Sequence, residues 1–78
     1  SSAASDVYKR QVLDVESVLN QVVVKTTTAA AQVVAEAIDN LFLDNVIASI
    51  AGDNVVLIIS NSEDKAKLIS KNIEEVLG

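Results

Sequence analysis

The side chains of this chain that could hold a small ligand are acids and amides near its middle. Gln32 and Asp39 are seven residues apart, so a helix would place them on one face, about two turns apart. Asp53 follows Gly52 in the stretch ASIAGDNVVLIIS, residues 48–60, whose composition predicts a hairpin turn. Convergent carboxylates and amides suit a guanidinium or an ammonium group. We interpret them as a candidate cation-binding set; the alternative is a solvated helix face and an ordinary turn residue.

The charge of the chain is uneven as well as negative. The 78 residues carry a net charge of −5, and the stretch from Thr26 to Asp64 contains no Lys or Arg. The acids of that stretch are Glu36, Asp39, Asp44, Asp53, Glu63 and Asp64. Either they keep a surface hydrated or they create a field that attracts a cationic ligand.

Several classes of function are disfavoured by what the chain lacks. It has no His, no Cys and no Gly-rich phosphate loop, so the usual sets of acid, base and nucleophile cannot form. Its acids are too scattered for a metal site. With a negative charge and only Tyr8 and Phe42 as aromatic residues, the chain should not bind nucleic acid itself. We predict that it is not an enzyme, holds no metal or cofactor, and reaches DNA only through another domain.

No stretch has the pattern of a membrane span or a secretory signal. The longest unbroken apolar run, Val55–Ile59, is far shorter than the ~20 residues that a span requires. The sequence therefore favours a soluble, cytoplasmic protein. A domain of this size buries only roughly 60% of the surface of its unfolded chain, and without Cys it has no disulfide, so oligomerisation is expected.

The elements that must position the candidate residues follow from hydrophobic periodicity. Residues 1–11 are interpreted as a linker or an expression remnant, and residues 12–78 as one domain. Alternation in VLDVES and the apolar run QVVVKT predict two strands that reverse direction at Val18–Asn20. The apolar runs on either side of Gly52 predict a second hairpin.

Two further stretches have a helical period. The first runs from Ala29 to Leu43, and its predicted core side chains are Ala30, Val34, Ala37, Ile38 and Leu41. The second is Ser62–Leu77, with a stripe made of Ala66, Ile69, Ile73, Val76 and Leu77. Gln32 and Asp39 lie opposite the apolar side of the first helix. If that helix continues to Leu43, the Leu43 side chain points away from the domain's own core and requires a neighbour.

The order ββαββα predicts an α+β fold, a two-layer sandwich in which a four-stranded antiparallel sheet carries both helices on one face. The segments VVV, residues 22–24, and VVLII, residues 55–59, are apolar on both strand faces. Two helices cover only one face, and a two-sided apolar strand requires cover on both. We therefore predict that the uncovered face is an assembly surface and that the chain forms a trimer or a larger oligomer.

The segments VVVKTTTAAAQVVAEAIDNL and IASIAGDNVVLIIS resemble the C-terminal domain of the bacterial arginine repressor family, over about Val12 to Leu77. The family pattern is a strand ending in a basic residue and Thr, a Pro-Gly loop, Ala-Gln or Ala-His, Ile/Leu-Asp seven residues on, and Gly-Thr-Ile-Ala/Cys-Gly-Asp-Asp. The resemblance implies the regulatory domain of a transcriptional repressor of arginine metabolism. It further implies a hexamer of two stacked trimers, L-arginine as co-repressor where the trimers meet, and operator DNA bound by a separate N-terminal winged-helix domain outside this chain.

The resemblance also implies one ligand-binding set, made of Gln32, Asp39, Ser49, Ala51, Asp53 and Asn54. The first four would bind the amino-acid end of the ligand, Ala51 through its backbone, and Asp53 would reach the guanidinium across the trimer boundary. The chain departs from the family pattern at Ser49, where the family has Thr, at Thr28-Ala29, which replaces Pro-Gly, and at Asn54, which replaces a second Asp. One missing charge per site predicts roughly tenfold to hundredfold weaker arginine binding.

Two other readings remain open. A paralogue could keep the assembly and have lost or weakened arginine binding, serving as a hexameric scaffold or in mixed oligomers; calorimetry with L-arginine separates this reading from the first. A small two-layer α/β enzyme of the pterin dehydratase type is the third reading. The absence of His disfavours it, and a turnover assay would test it.

Overall fold

The architecture has the element order expected from the periodicity. The computed structural model describes residues 10–41 and 43–78. Its elements are β1 (Val12–Val18), β2 (Gln21–Thr26), α1 (Ala31–Asp39), β3 (Val46–Ala51), β4 (Val55–Ser60) and α2 (Glu63–Leu77). The predicted ββαββα order is confirmed. Most of the predicted linker, residues 1–9, lies outside the described residues.

The four strands form one antiparallel sheet in the order β1-β2-β4-β3. The two apolar strands, β2 and β4, are therefore central. Lys25 near the end of β2 pairs with Val55 at the start of β4. Because these two positions are side by side, the loop that leaves β2 and the turn that enters β4 meet at the same end of the sheet.

Both helices pack on one face of the sheet, as predicted. Contacts place α2 mainly on β1 and β2, and α1 on β3 and β4. The fully buried side chains of the shared core include Val22, Val24, Val34, Val56, Ile58 and Ile73. The predicted stripe of α2 is buried except for Val76, which is 38% exposed. The α+β two-layer sandwich is confirmed.

The first helix is shorter than its periodicity predicts. Helix α1 ends at Asp39, and Asn40 is its C-cap. Leu43 lies beyond the helix and packs, partly buried, against the domain's own core. The prediction that Leu43 points outward and requires a neighbour is therefore wrong. The apolar period continues past Asp39, but the chain must reverse direction to begin β3 at Val46, with Asn45 in the left-handed region at φ 71°.

The sheet face away from the helices is apolar over three of its four strands. We call it the open face, and its members are Val23, Ala48, Ile50, Val55, Leu57 and Ile59. Leu57 pairs with both Val23 and Ile50, so the three side chains form a row across the sheet. Ile50 is 61% exposed. On β1 the same face carries the acids Asp14 and Glu16 and, at the end of the strand, Val18, so its apolar part lies mainly on β2, β4 and β3.

In the part of the chain that the structure describes, neither helix combines the length and the apolar composition needed to cross a bilayer. Helix α2 is the longer of the two, at 15 residues, and one side of it is polar.

Candidate ligand-binding site

Helix α1 and strand β3 are bridged by two polar contacts. The Gln32 side chain donates from Nε2 to the Ala51 carbonyl oxygen at 3.1 Å. About two helical turns further on, the Ser49 hydroxyl donates to Asp39 Oδ1 at 3.4 Å. Ser49 and Ala51 pair with the buried residues of β4, so their side chains face the helix layer. Four of the six predicted ligand-binding residues therefore come together, in what we call the α1–β3 groove.

The groove widens into a pocket at its Asp39 end. The pocket has a volume of about 110 Å³. Its walls are Ile38, Asp39, Leu43, Val46 and Ser49. Leu43, which the helical period places on the outer surface, instead forms part of this wall. The carboxylate and the hydroxyl suit a polar end of a small molecule, and the three apolar side chains suit the apolar part next to it.

Asp53 and Asn54 lie elsewhere, on the turn between β3 and β4. The Asp53 carboxylate accepts a hydrogen bond from the Ala29 backbone amide, at 3.3 Å from N to Oδ2. The Asp53 carbonyl accepts from Ala31 N at 3.1 Å, and the Asn54 carbonyl from Thr26 N at 2.8 Å. Asp53 is therefore hydrogen-bonded to the loop between β2 and α1 and to the start of α1, at the opposite end of α1 from the pocket.

The acids of the site have no cationic partner among residues 10–41 and 43–78. Within those ranges the ion pair is Lys67 with Glu63 at 3.9 Å, on α2. The carboxylates of Asp39 and Asp53 belong to exposed residues and are contacted by neutral donors. No group of three or more acids in the same ranges is close enough to hold a metal ion. The arrangement can accept hydrogen bonds from a cation, since donors that carry a charge strengthen such bonds.

Sequence reasoning missed the contact between the Asp53 turn and the loop before α1. One signal was available: the helix begins in the run TTTAAAQ, and no Ser, Thr, Asp or Asn directly precedes Ala31. A helix start without its own capping side chain indicates that the cap comes from elsewhere in the fold. Which segment supplies it depends on the strand order, and no local pattern encodes that order.

Residues 8–75 match the family model described as "Arginine repressor, C-terminal domain". The chain belongs to this family. It is 44% identical over 71 residues to an arginine repressor of Clostridium acetobutylicum, with 91% of this chain and 47% of the relative covered. It is 39% identical over 72 residues to an arginine repressor of Clostridium novyi, covering 92% of this chain and 48% of the relative. It is 34% identical over 77 residues to an arginine repressor of Clostridium tetani, covering 99% of this chain and 50% of the relative.

The chain spans about half the length of the curated arginine repressors that it matches. Its relatives are named as repressors, and membership in a family of regulators confirms the prediction that this arginine repressor domain is not an enzyme. The match begins at residue 8, inside the stretch interpreted as a linker. The resemblance drawn from the two quoted segments is confirmed.

One departure from the family pattern has a structural consequence at Ala29. Ala29 has φ 63°, in the left-handed region. An L-residue adopts this region at a cost of roughly 1–2 kcal/mol, whereas glycine adopts it freely. The loop of this arginine repressor domain thus has a backbone conformation that suits glycine, at the position where the chain has alanine.

Proposed function

We propose that this domain is the regulatory part of a transcriptional repressor of arginine metabolism, that it assembles as a hexamer of two trimers, and that it binds L-arginine as its co-repressor. Operator DNA is then bound by a separate N-terminal domain. The observation that carries the ligand proposal is the set of acids at the α1–β3 groove and the adjacent turn, which have no cationic partner among residues 10–41 and 43–78. The name shared by the relatives supports the same ligand.

The groove offers the amino-acid end of arginine suitable partners. Asp39 can accept from the α-ammonium group, and Ser49 beside it can donate to the α-carboxylate. The apolar walls of the pocket, Ile38 and Val46 among them, are suited to the methylene stem of the ligand. Gln32 and the Ala51 carbonyl line the groove further along α1.

The guanidinium end then requires a second carboxylate, and Asp53 of the same subunit lies too far from the pocket to supply it. Residues 31 and 39 of α1 are about 12 Å apart along the helix axis. Asp53 is fastened at the Ala31 end, whereas the pocket opens at the Asp39 end. An arginine side chain extends about 8 Å from its α-carbon to its terminal nitrogens. This mismatch supports a site completed by Asp53 of a neighbouring subunit.

The open face supports the assembly part of the proposal. A row of three apolar side chains crosses the sheet there without cover from either helix. Contiguous exposed apolar surface of this kind is typical of protein–protein contacts. We assign the contact within a trimer to the open face, and the contact between trimers to the α1–β3 groove and the Asp53 turn.

Calorimetry and light scattering on the same samples test the proposal. L-arginine should bind with measurable heat and shift trimers toward hexamers. L-citrulline is the matched control, because its ureido group has nearly the shape of a guanidinium and no charge, so it should bind much more weakly. Equal responses to both ligands would contradict the assignment of the acids to the guanidinium.

The second candidate function is an assembly domain that has lost or weakened arginine binding. Asn54 favours it, because the site has one carboxylate fewer than the family pattern. In that case the chain forms the same oligomer with and without arginine, and calorimetry detects no binding at millimolar ligand.

A further inference from the structure

Helix α1 begins without a capping side chain of its own. Its N-cap is Ala30, which has no side-chain acceptor, and its first turn contains no acid. Helix α2 differs in both respects. Its N-cap Ser62 accepts from Lys65 N at 3.2 Å, and Glu63 and Asp64 occupy its first turn. A nine-residue helix is marginal without tertiary support, so the missing cap of α1 must be compensated.

Asp53 supplies what α1 lacks, from the turn between β3 and β4. Its carbonyl oxygen accepts from the amide of Ala31, the first residue of the helix, at 3.1 Å. Its carboxylate accepts from the amide of Ala29 at 3.3 Å, just before the helix begins. The carbonyl contact satisfies an amide that a helix leaves unpaired, and the carboxylate contact holds a negative charge near the positive end of the helix dipole.

We propose that Asp53 is a positioning residue: it caps α1 across the fold and thereby holds Gln32 in register with the Ala51 carbonyl. Gln32 directly follows Ala31, so loosening the first turn of α1 displaces the Gln32 side chain. The inference rests on the proposed function only where arginine is concerned, because the capping contacts need no ligand. Loss of the arginine response in an Asp53 variant is therefore not by itself evidence that Asp53 contacts arginine.

Amide hydrogen exchange followed by NMR, without ligand, tests the capping. The reporter is the Val34 amide, which makes the first hydrogen bond inside α1, to the Ala30 carbonyl at 3.0 Å. The internal reference is the Ala66 amide, which makes the equivalent bond in α2, to the Ser62 carbonyl at 3.0 Å. Asp44→Ala is the matched control variant, since Asp44 is an exposed acid in a different loop.

Asp53→Ala removes the carboxylate that accepts from Ala29 N and keeps the carbonyl that accepts from Ala31 N. Loss of the carboxylate contact should speed the exchange of Val34 relative to Ala66 by about fivefold, and shift the side-chain amide signals of Gln32. Asp53→Asn keeps an acceptor oxygen and loses only the charge, so it should speed Val34 by about threefold or less. The Asp44→Ala control should change neither signal. An unchanged ratio of Val34 to Ala66 in Asp53→Ala would overturn the proposal, and so would equal acceleration of both amides, which indicates global destabilisation.

Arginine titrations of the same proteins separate this inference from the proposed function. If the unmodified protein does not respond to arginine while Asp53→Ala still loosens Val34 selectively, the proposed ligand is wrong and the capping role stands. If Asp53→Asn keeps the exchange pattern of the unmodified protein and loses the arginine response, Asp53 both positions α1 and contacts the ligand. The selective loosening of Val34 in Asp53→Ala is required in every supporting outcome.

Discussion

Placing a charge on the open face should dissociate the proposed oligomer and leave the fold intact. Leu57 lies at the middle of the apolar row, paired with Val23 on one side and Ile50 on the other. Its neighbours in sequence, Val56 and Ile58, point to the opposite face and are fully buried in the core. A change at Leu57 therefore alters the proposed interface without removing a core side chain.

The expected effect can be worked out from burial. Leu57 is already partly covered within its own subunit, so covering the rest of its side chain contributes about 0.7 kcal/mol, and one leucine per subunit contributes about 2 kcal/mol to a trimer. At 1.4 kcal/mol per factor of ten, Leu57→Ala should weaken the trimer association constant by about one to two orders of magnitude. Leu57→Asp should weaken it further, because three carboxylates would be brought together in an apolar contact.

Sedimentation velocity at micromolar concentration is the assay for this prediction, with circular dichroism to check the fold. Leu57→Asp should sediment as a folded monomer. The control is Leu68→Asp, which places the same charge on a leucine of α2 that is 50% exposed, and it should leave the oligomer unchanged. The reasoning is refuted if Leu57→Asp remains a trimer or larger, or if Leu68→Asp dissociates the oligomer to the same extent.

Three further predictions concern the site and its loop. Asp39→Asn should weaken arginine binding about tenfold to a hundredfold in calorimetry, because it removes the charge assigned to the ammonium group; an unchanged dissociation constant would exclude that contact. Asn54→Asp should tighten arginine binding about tenfold, since it places a second carboxylate near the proposed guanidinium site. If the domain serves in assembly alone, neither protein should bind arginine. Ala29→Gly should raise the free energy of unfolding by about 0.5–1 kcal/mol in urea denaturation, because the left-handed φ of 63° no longer strains a side chain. A lower free energy of unfolding in the variant would contradict this prediction.

Much of the fold could be predicted because each element has a local signature. Alternating and helical periods separated strands from helices, and the Gly52 turn separated β3 from β4. The end of α1 could not be predicted, since apolar spacing continues to Leu43 whereas the helix stops at Asp39. The connection back to β3 ended the helix there, and tertiary constraints of this kind override a weak local preference.

The sequence by itself determined which residues the site could use, because the acids and amides and their spacing on α1 are local properties. It also determined that one sheet face is left uncovered, since β2 and β4 are apolar on both faces and two stretches of the domain, residues 29–43 and 62–77, have a helical period. The tertiary structure alone decided that Ser49 meets Asp39, and that Asp53 meets the amides before α1. These contacts exist because β2 and β4 are neighbours, which brings two distant loops to one end of the sheet. Pairing between distant strands depends on how the whole chain packs, and the residues of a single turn do not encode it.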